Sequence, residues 1–249
     1  MKTCYRSFGL VLLALFLCSC SALSMPQSPT PPPPPTLDVG DRACVEPPAG
    51  LVSWWPADGN ANDLQGVNDG AISDGATFAA GLAGQAFSFD GTTTVSAPTT
   101  GLPAGYSDRT LDLWVKVNAF SDGEAFFAGY GSFGSLGRTY HLGTSGRTLF
   151  FSQWGQALFG PELQPGRWYH VAVTNVGTSA TLYLDGAAVA NGELGINTPA
   201  GTQFYLGRLP DDAAKRLDGL IDEAAVYDRA LSAAEIQAIY LAGSRGRCQ

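Results

Sequence analysis

The 249-residue chain predicts an all-β protein: a two-sheet antiparallel jelly-roll sandwich with one short C-terminal helix. Three observations carry that prediction. Short apolar or alternating runs, rich in β-branched and aromatic residues, recur at near-even spacing from Ala49 onward, with Gly, Asn and Asp between them. Asp-Gly pairs, whose glycine tolerates positive φ, mark tight hairpin turns at Asp90-Gly91 and Asp185-Gly186. A single late segment, 231–241, has helical period.

Read from its start, the chain first shows where it works. Lys2 and Arg6 precede an apolar run over 8–17, too short to span a bilayer and suited to a signal-peptide core. The run ends in Leu17-Cys18-Ser19-Cys20. This resembles the bacterial lipobox, which implies cleavage before Cys20 and lipid attachment to its thiol. Cys18 is the poorer acceptor because bulky Leu17 precedes it, and an ordinary secretory signal with incidental cysteines is the alternative. Either way residues 1–19 are a signal segment and the protein is exported. Residues 20–43 then form the lipid anchor and a Pro-rich linker, which predicts a polyproline II spacer reaching up to about 60 Å. Residues 44–249 are the globular domain. With roughly 205 residues it is long enough for a full core.

Of five cysteines, Cys44 and Cys248 would remain beyond Cys20, one at each end of that domain. An even pair in an exported protein reads as a disulfide joining the termini, with two free thiols as the alternative. The formal net charge is −8, and residues 1–19 hold two basic and no acidic residues, so the exported chain is more acidic still. Such a chain repels nucleic acid and anionic membrane surfaces. No later apolar run is long enough to cross a membrane, so membrane association rests on the lipid anchor alone.

Strands are expected at 51–55, 85–89, 111–117, 148–152, 168–174, 180–184 and 203–206, with a hairpin turning at Asp185-Gly186. In the helix, Ser232 and Glu235 form a capping box and Gly243 supplies the stop. Ile236, Ile239 and Tyr240 share a face that docks it on the sandwich.

Five segments, in order, resemble the laminin G-like jelly-roll domain of the concanavalin A-like lectin/glucanase superfamily. They are Gly50-Leu51-Val52-Ser53-Trp54-Trp55 with the loop through Asp63, Gly84-Gln85-Ala86-Phe87-Ser88-Phe89-Asp90-Gly91, and Leu111-Asp112-Leu113-Trp114-Val115-Lys116. Arg167-Trp168-Tyr169-His170-Val171-Ala172-Val173-Thr174 and Gly219-Leu220-Ile221-Asp222-Glu223 complete the set. The resemblance covers about 44–248. It implies two antiparallel sheets packed face to face, and a fold that carries lectins, adhesion modules and glycanases alike. It also implies Ca²⁺, held by the 58–69 loop and the acidic residue of the last strand. By position that nominates Asp58, Asn60, Asp63 and Asp222. The alternative for these side chains is Asx-turns that cap loop backbone.

Catalytic signals are weak. Asp112 has no Glu partner at the spacing glycanases of this fold use, and adjacent Asp222 and Glu223 should point to opposite faces of a strand. His141 and His170 read as structural, and no Gly-x-Ser-x-Gly elbow occurs. Gly129-Tyr130-Gly131-Ser132-Phe133-Gly134 matches a dinucleotide fingerprint but opens no helix, so it reads as a Gly-rich β-connection. Sugars pack C–H edges on aromatic faces ringed by polar groups. Trp154, in a polar setting, and Tyr130, Phe133 and Tyr140, around a Gly-rich loop, are the ligand-surface candidates. The expected protein is therefore an envelope lipoprotein with a non-catalytic domain that recognises a glycan or an extracellular protein. Ser21 after the anchor favours the outer membrane or cell surface. A glycan hydrolase or lyase, or a purely structural assembly module, is the alternative.

Overall fold

The computed structural model describes residues 44–73, 77–209 and 212–249, which lie in one compact unit spanning Asp41–Gln249. The expected signal segment, the expected lipid acceptor Cys20 and the Pro-rich stretch to residue 43 lie outside the described residues. In chain order the strands are β1 (Leu51–Trp55), β2 (Ala71–Ile72), β3 (Thr77–Ala80), β4 (Gln85–Asp90), β5 (Val95–Ala97) and β6 (Arg109–Ala119). There follow β7 (Glu124–Gly131), β8 (Thr139–Ser145), β9 (Thr148–Ser152), β10 (Ala157–Glu162), β11 (Trp168–Val176) and β12 (Ser179–Leu184). The last are β13 (Ala187–Glu193), β14 (Phe204–Leu206), β15 (Arg208–Leu209), β16 (Asp212–Arg216) and β17 (Asp218–Tyr227), before helix α1 (Ala233–Ala242).

These form two large antiparallel sheets, the jelly-roll sandwich the sequence predicts. One has eight strands in the order β13-β12-β11-β6-β17-β4-β3, with β1 also paired to β17. The other has seven, β10-β9-β8-β7-β14-β5-β2, and β15-β16 is a small separate hairpin. Strand alternation sends Leu111, Leu113, Val115 and Val117 of β6 and Val171 and Val173 of β11 inward. They meet Tyr140, Leu142, Phe151, Phe204 and Leu206 of the facing sheet. Fully burying a side chain of this kind is worth about 1.5–3 kcal/mol. Trp55 stacks on Phe204 at 4.5 Å, joining the layers.

The Asp185-Gly186 turn closes the β12–β13 hairpin, with both residues at positive φ. The Asp90-Gly91 pair does not make a hairpin. Its Asp90 carboxylate accepts from Thr92 N at 2.8 Å, and the chain there leaves the eight-stranded sheet for β5 in the other. A tight turn and a sheet-to-sheet crossing share that local chemistry, so the dipeptide alone does not separate them.

The outer face of the eight-stranded sheet is sealed. Trp54, Ala172, Tyr183, Ala225 and Tyr227 face away from the main core and pack against Leu231, Ile236 and Ile239 of the C-terminal segment. The capping box forms as expected, Ser232 Oγ accepting from Glu235 N and the Glu235 carboxylate from Ser232 N. Tyr240 stacks over Trp114 at 5.8 Å. Beyond α1, Arg247 is buried: Nη2 pairs with Asp112, Nη1 with Glu223 Oε2 at 3.0 Å, and Nε donates to Tyr227 Oη at 3.2 Å. Residue 247 bridges Val45, and Cys44 forms a disulfide with Cys248, closing a loop with a sequence separation of 204. Closing so long a loop removes chain entropy worth about 4–5 kcal/mol from the unfolded state.

Removing one partner of a buried ion cluster leaves the others charged and unpaired, which costs about 3–5 kcal/mol. Arg247→Leu should lose stability on that scale in chemical denaturation; a loss below about 1 kcal/mol contradicts the role given to it. At the helix start, hydrogen bonds from Arg229 hold Glu235 down to about 2, with Ser232 adding to the effect. Its contribution is complete above the ordinary value of 4.5 and disappears as pH falls from there to about 2. A Glu235→Gln variant should therefore melt lower than wild type at pH 7, the gap closing across that acid window. A gap independent of pH contradicts the assignment.

Candidate functional site

Among the described residues, the outer face of the seven-stranded sheet carries no helix. Alternation turns Phe204, Leu206, Tyr140, Leu142, Leu149, Phe151 and Leu158 to the core, and so turns Tyr205, His141, Phe150 and Phe159 outward. With Phe133 from the β7–β8 connection these rings form a row. Centroid separations along it are 6.4 Å (Tyr205–Phe133), 5.9 Å (Phe133–His141), 5.4 Å (His141–Phe150) and 6.3 Å (Phe150–Phe159). One end opens into a cleft of about 380 Å³ walled by Phe133, Trp154 and Tyr205, with Gln203 and Asp212 on its margin. The β15–β16 hairpin flanks it. From that hairpin Lys215 Nζ lies 4.3 Å from the Trp154 ring centre and 2.6 Å from Glu124 Oε2.

Trp154 is held in an unusual way. Ser152 pairs with Ala157, and Gln153 N donates to Gln156 O at 3.2 Å, so Trp154-Gly155 are the central residues of the β9–β10 turn. Their φ values are 67° and 89°. Such a turn is normally built from Asn-Gly, because both central residues must adopt left-handed backbone. Tryptophan there costs about 1–2 kcal/mol. Burial does not offset this, since Trp154 is only half-buried beside the cleft. A Cβ at Gly155 would meet Leu136 Cδ1 at 2.2 Å, the tip of an exposed side chain free to swing aside, so the glycine is required by its φ alone. Backbone strain retained at an open cleft points to a ligand-facing task.

The cleft's electrostatics are mild. His141, beneath the row, is fully buried; burial pushes it down to about 3, with Lys215 acting in the same direction, so it is a neutral ring at physiological pH. Lys215 and Glu124 neutralise each other, leaving Asp212 as the charge on the margin among the described residues. The arrangement offers flat apolar faces interleaved with amide and carboxylate groups.

Of the four ligand-surface candidates, Trp154 and Phe133 meet in this cleft. Tyr130 and Tyr140 do not belong to it. Both are core residues, 1% and 0% exposed, gathered around buried Arg109, whose guanidinium lies 4.9 Å from the Tyr140 ring centre. Tyr130 Oη donates to Pro103 O at 2.8 Å and accepts from Arg109. The reason is a bulge between Phe126 and Ala128, which resets β7 so that Phe126 and Gly129 face outward and Tyr130 inward. Tyr205, Phe150, Phe159 and Lys215 were not anticipated, although the alternation in Phe204-Tyr205-Leu206 separates an outward tyrosine from two core neighbours.

The four nominated calcium ligands also separate. Asp63 is buried and accepts from the backbone N–H of Trp54, Gln65, Val67 and Asn68, so both its oxygens are engaged inside the loop. Asn60 makes an Asx-turn to Asn62 N at 2.8 Å. Asp58 and Asp222 do converge, on the loop over 81–85. Asp58 accepts from Gln85 N at 2.8 Å, and Asp222 Oδ2 from Leu82 N and Ala83 N at 2.8 and 2.9 Å. Gly81 and Gly84 are cradled tightly against these carboxylates, a Cβ at Gly81 falling 2.6 Å from Asp222 Oδ2. Asp222 Oδ1 is buried without a partner, and burial pushes the group up to about 7, with neighbouring Glu223 and Asp58 adding to the rise. Among the described residues no three His, Cys, Asp or Glu gather as a metal-binding group. The expected divergence of Asp222 and Glu223 is also corrected. Glu223, at φ 56°, is the extra residue of a bulge between Asp222 and Ala225, so both carboxylates lie outside the main core.

A laminin G-like family model of the concanavalin A-like lectin/glucanases superfamily matches residues 89–237. No curated protein matches the sequence. Among solved structures, domain 4 of the extracellular arabinanase AbnA from Geobacillus stearothermophilus, in complex with arabinotriose, aligns with a TM-score of 0.61 and 20% identity, covering 75% of this chain and 96% of that one. Trypanosoma rangeli sialidase aligns at 0.59 and 20% identity over 78% of this chain and 33% of its own. The binding domain of Paraclostridial mosquitocidal protein 1 aligns at 0.62 and 13% identity over 77% and 52%. The chain therefore spans a third of the sialidase and about half of the toxin domain. At these identities the likeness shows a shared fold, one used by binding domains and glycosidases alike.

Trp154→Asn relieves the left-handed strain and loses one cation–π contact with Lys215 worth about 0.5–1 kcal/mol. Its stability in chemical denaturation should be unchanged or higher by up to about 1 kcal/mol. A clear loss would make Trp154 a packing residue instead of a ligand-facing one.

Proposed function

The chain belongs to the concanavalin A-like lectin/glucanases superfamily, and from that premise we propose that it is an exported, envelope-anchored lipoprotein whose domain binds glycans without cleaving them. The single observation that carries this reading is the strained, half-buried Trp154 at the mouth of a cleft walled by Phe133 and Tyr205. Rings of this kind receive the C–H faces of a sugar, while Gln203 and Asp212 supply acceptors and donors for its hydroxyls. The mixture of flat apolar and small polar groups suits a glycan better than an extracellular protein, whose hot spots need wider buried apolar contact.

The placement of carboxylates supports a binding role over hydrolysis. Glycoside cleavage needs two carboxyl groups flanking one bond. Asp212 lines the first cleft, and Glu124 is tied to Lys215; Asp112 and Glu223 are held by Arg247 on the other sheet. The Cys20 anchor and Pro-rich stalk would present the domain away from the membrane, at the outer membrane or cell surface.

Ca²⁺ forms a second part of the proposal. Asp58 and Asp222 would hold it, and the ion would neutralise carboxylates crowded beside the loop over 81–85. The unpartnered Asp222 Oδ1 supports this reading. Ca²⁺ at a hundredfold excess over its Kd should raise Tm by about 5 °C or more, an increase absent in Asp222→Asn. Identical melting in Ca²⁺ and in chelator contradicts it. The glycan reading is tested by screening the exported chain, disulfide intact and with Cys20→Ser to prevent lipid attachment, on a glycan array beside its Trp154→Asn variant. Selective signals that vanish in the variant support it. An array without signal, or signals kept by the variant, contradicts it.

A further inference from the structure

The aromatic row continues past the first cleft. Beyond the β9–β10 turn lies a second cleft of about 280 Å³, where Phe150 and Phe159 adjoin Ser145, Ser152, Gln156 and Glu124. Phe159 is 59% exposed, so its ring is open to solvent beside this cleft. The two clefts share one wall. Trp154 lines the first and its turn neighbours Gly155 and Gln156 the second, while the Lys215–Glu124 pair joins the hairpin beside the first to the margin of the second. His141, buried and uncharged, fills the floor between Phe133 and Phe150, so no ionic barrier interrupts the row.

We propose that the Phe150–Phe159 cleft is a second sugar subsite, and that the ligand is a neutral oligosaccharide laid across the β9–β10 turn from one cleft to the other. This rests on the glycan reading of the first cleft. The occupant follows from continuity: Phe133, Trp154 and Tyr205 at one cleft and exposed Phe159, backed by buried Phe150, at the other suit successive rings of one chain, and the serine, glutamine and carboxylate groups beside them suit its hydroxyls. Neutrality follows from charge. Lys215 is already matched by Glu124, Asp212 adds a negative charge, and the whole chain carries a formal −8, so sugar acids would be repelled.

The test is calorimetric titration of the full exported chain (Cys20→Ser, disulfide intact) with linear arabino-, xylo- and cello-oligosaccharides of increasing length. A sialylated trisaccharide and an oligogalacturonide serve as anionic probes. Affinity for one neutral series should rise about three- to tenfold as rings are added to fill the second cleft, the gain expected of one aromatic contact. Phe159→Ala, an exposed substitution compatible with folding, should flatten that dependence on length. Ala157→Trp, placed to obstruct the second cleft, should flatten it too. Affinity that is independent of length, or a length dependence unchanged in both variants, overturns the second subsite while leaving single-site glycan binding intact. Preference for the anionic probes overturns the neutral class. Absence of binding to every probe overturns this inference, and if the glycan array is also silent the reading of the first cleft falls with it.

Discussion

Arg247 is the interaction on which the two ends of this sandwich depend. A guanidinium excluded from water must be matched by charge and by hydrogen bonds. Asp112 from β6, Glu223 from the β17 bulge and the hydroxyl of Tyr227 provide them. Those partners come from adjacent central strands of the eight-stranded sheet, so the last residues of the chain are held to the middle of the fold. The neighbouring Cys44–Cys248 bond then brings the start of the domain to the same place. Helix α1, lying between β17 and Arg247 in the chain, has little freedom left except to cover the face beneath it.

That closure makes the two outer faces unequal. The eight-stranded sheet hides Trp54, Tyr183 and Tyr227 under α1 and its approach. The seven-stranded sheet carries no helix among the described residues, leaves Phe159 59% exposed, and places a tryptophan in a turn where asparagine would fold with less strain. A surface of separate aromatic faces with polar groups between them is poorly suited to a flat apolar partner. It suits a ligand that alternates C–H faces with hydroxyls. The β15–β16 hairpin adds Lys215, whose ammonium both packs on Trp154 and reaches Glu124.

Much of the architecture was readable in the sequence because strands, turns and caps are local signals. The run 148–152 matches β9 in full, and Ser232, Glu235 and Gly243 mark both ends of the helix. Trp154 and Phe133 stood out by their polar or glycine-rich settings. What escaped depends on registers set by distant strands. Tyr130 faces inward only because of the bulge between Phe126 and Ala128, and Asp222 and Glu223 leave the core together only because of the one at Glu223. Asp63 looks like a ligand in one dimension. In three it is the hub of its own loop, because the N–H groups of Trp54 and Asn68 fold back onto it. The partnership of Lys215 with Trp154 joins segments some sixty positions apart that share no local signature.

The central claim is that the open face of the seven-stranded sheet receives the ligand. The most direct measurement is a heteronuclear NMR titration of the chain, disulfide intact, with a binding oligosaccharide, following the indole N–H signals of the five tryptophans and the backbone amides. The account predicts that Trp154 alone among the indoles shifts strongly, with amide shifts clustered at Tyr205, Phe133 and residues 150–159. Shifts centred instead on the 58–69 and 81–85 loops, with Trp154 unmoved, would place the ligand elsewhere and contradict it.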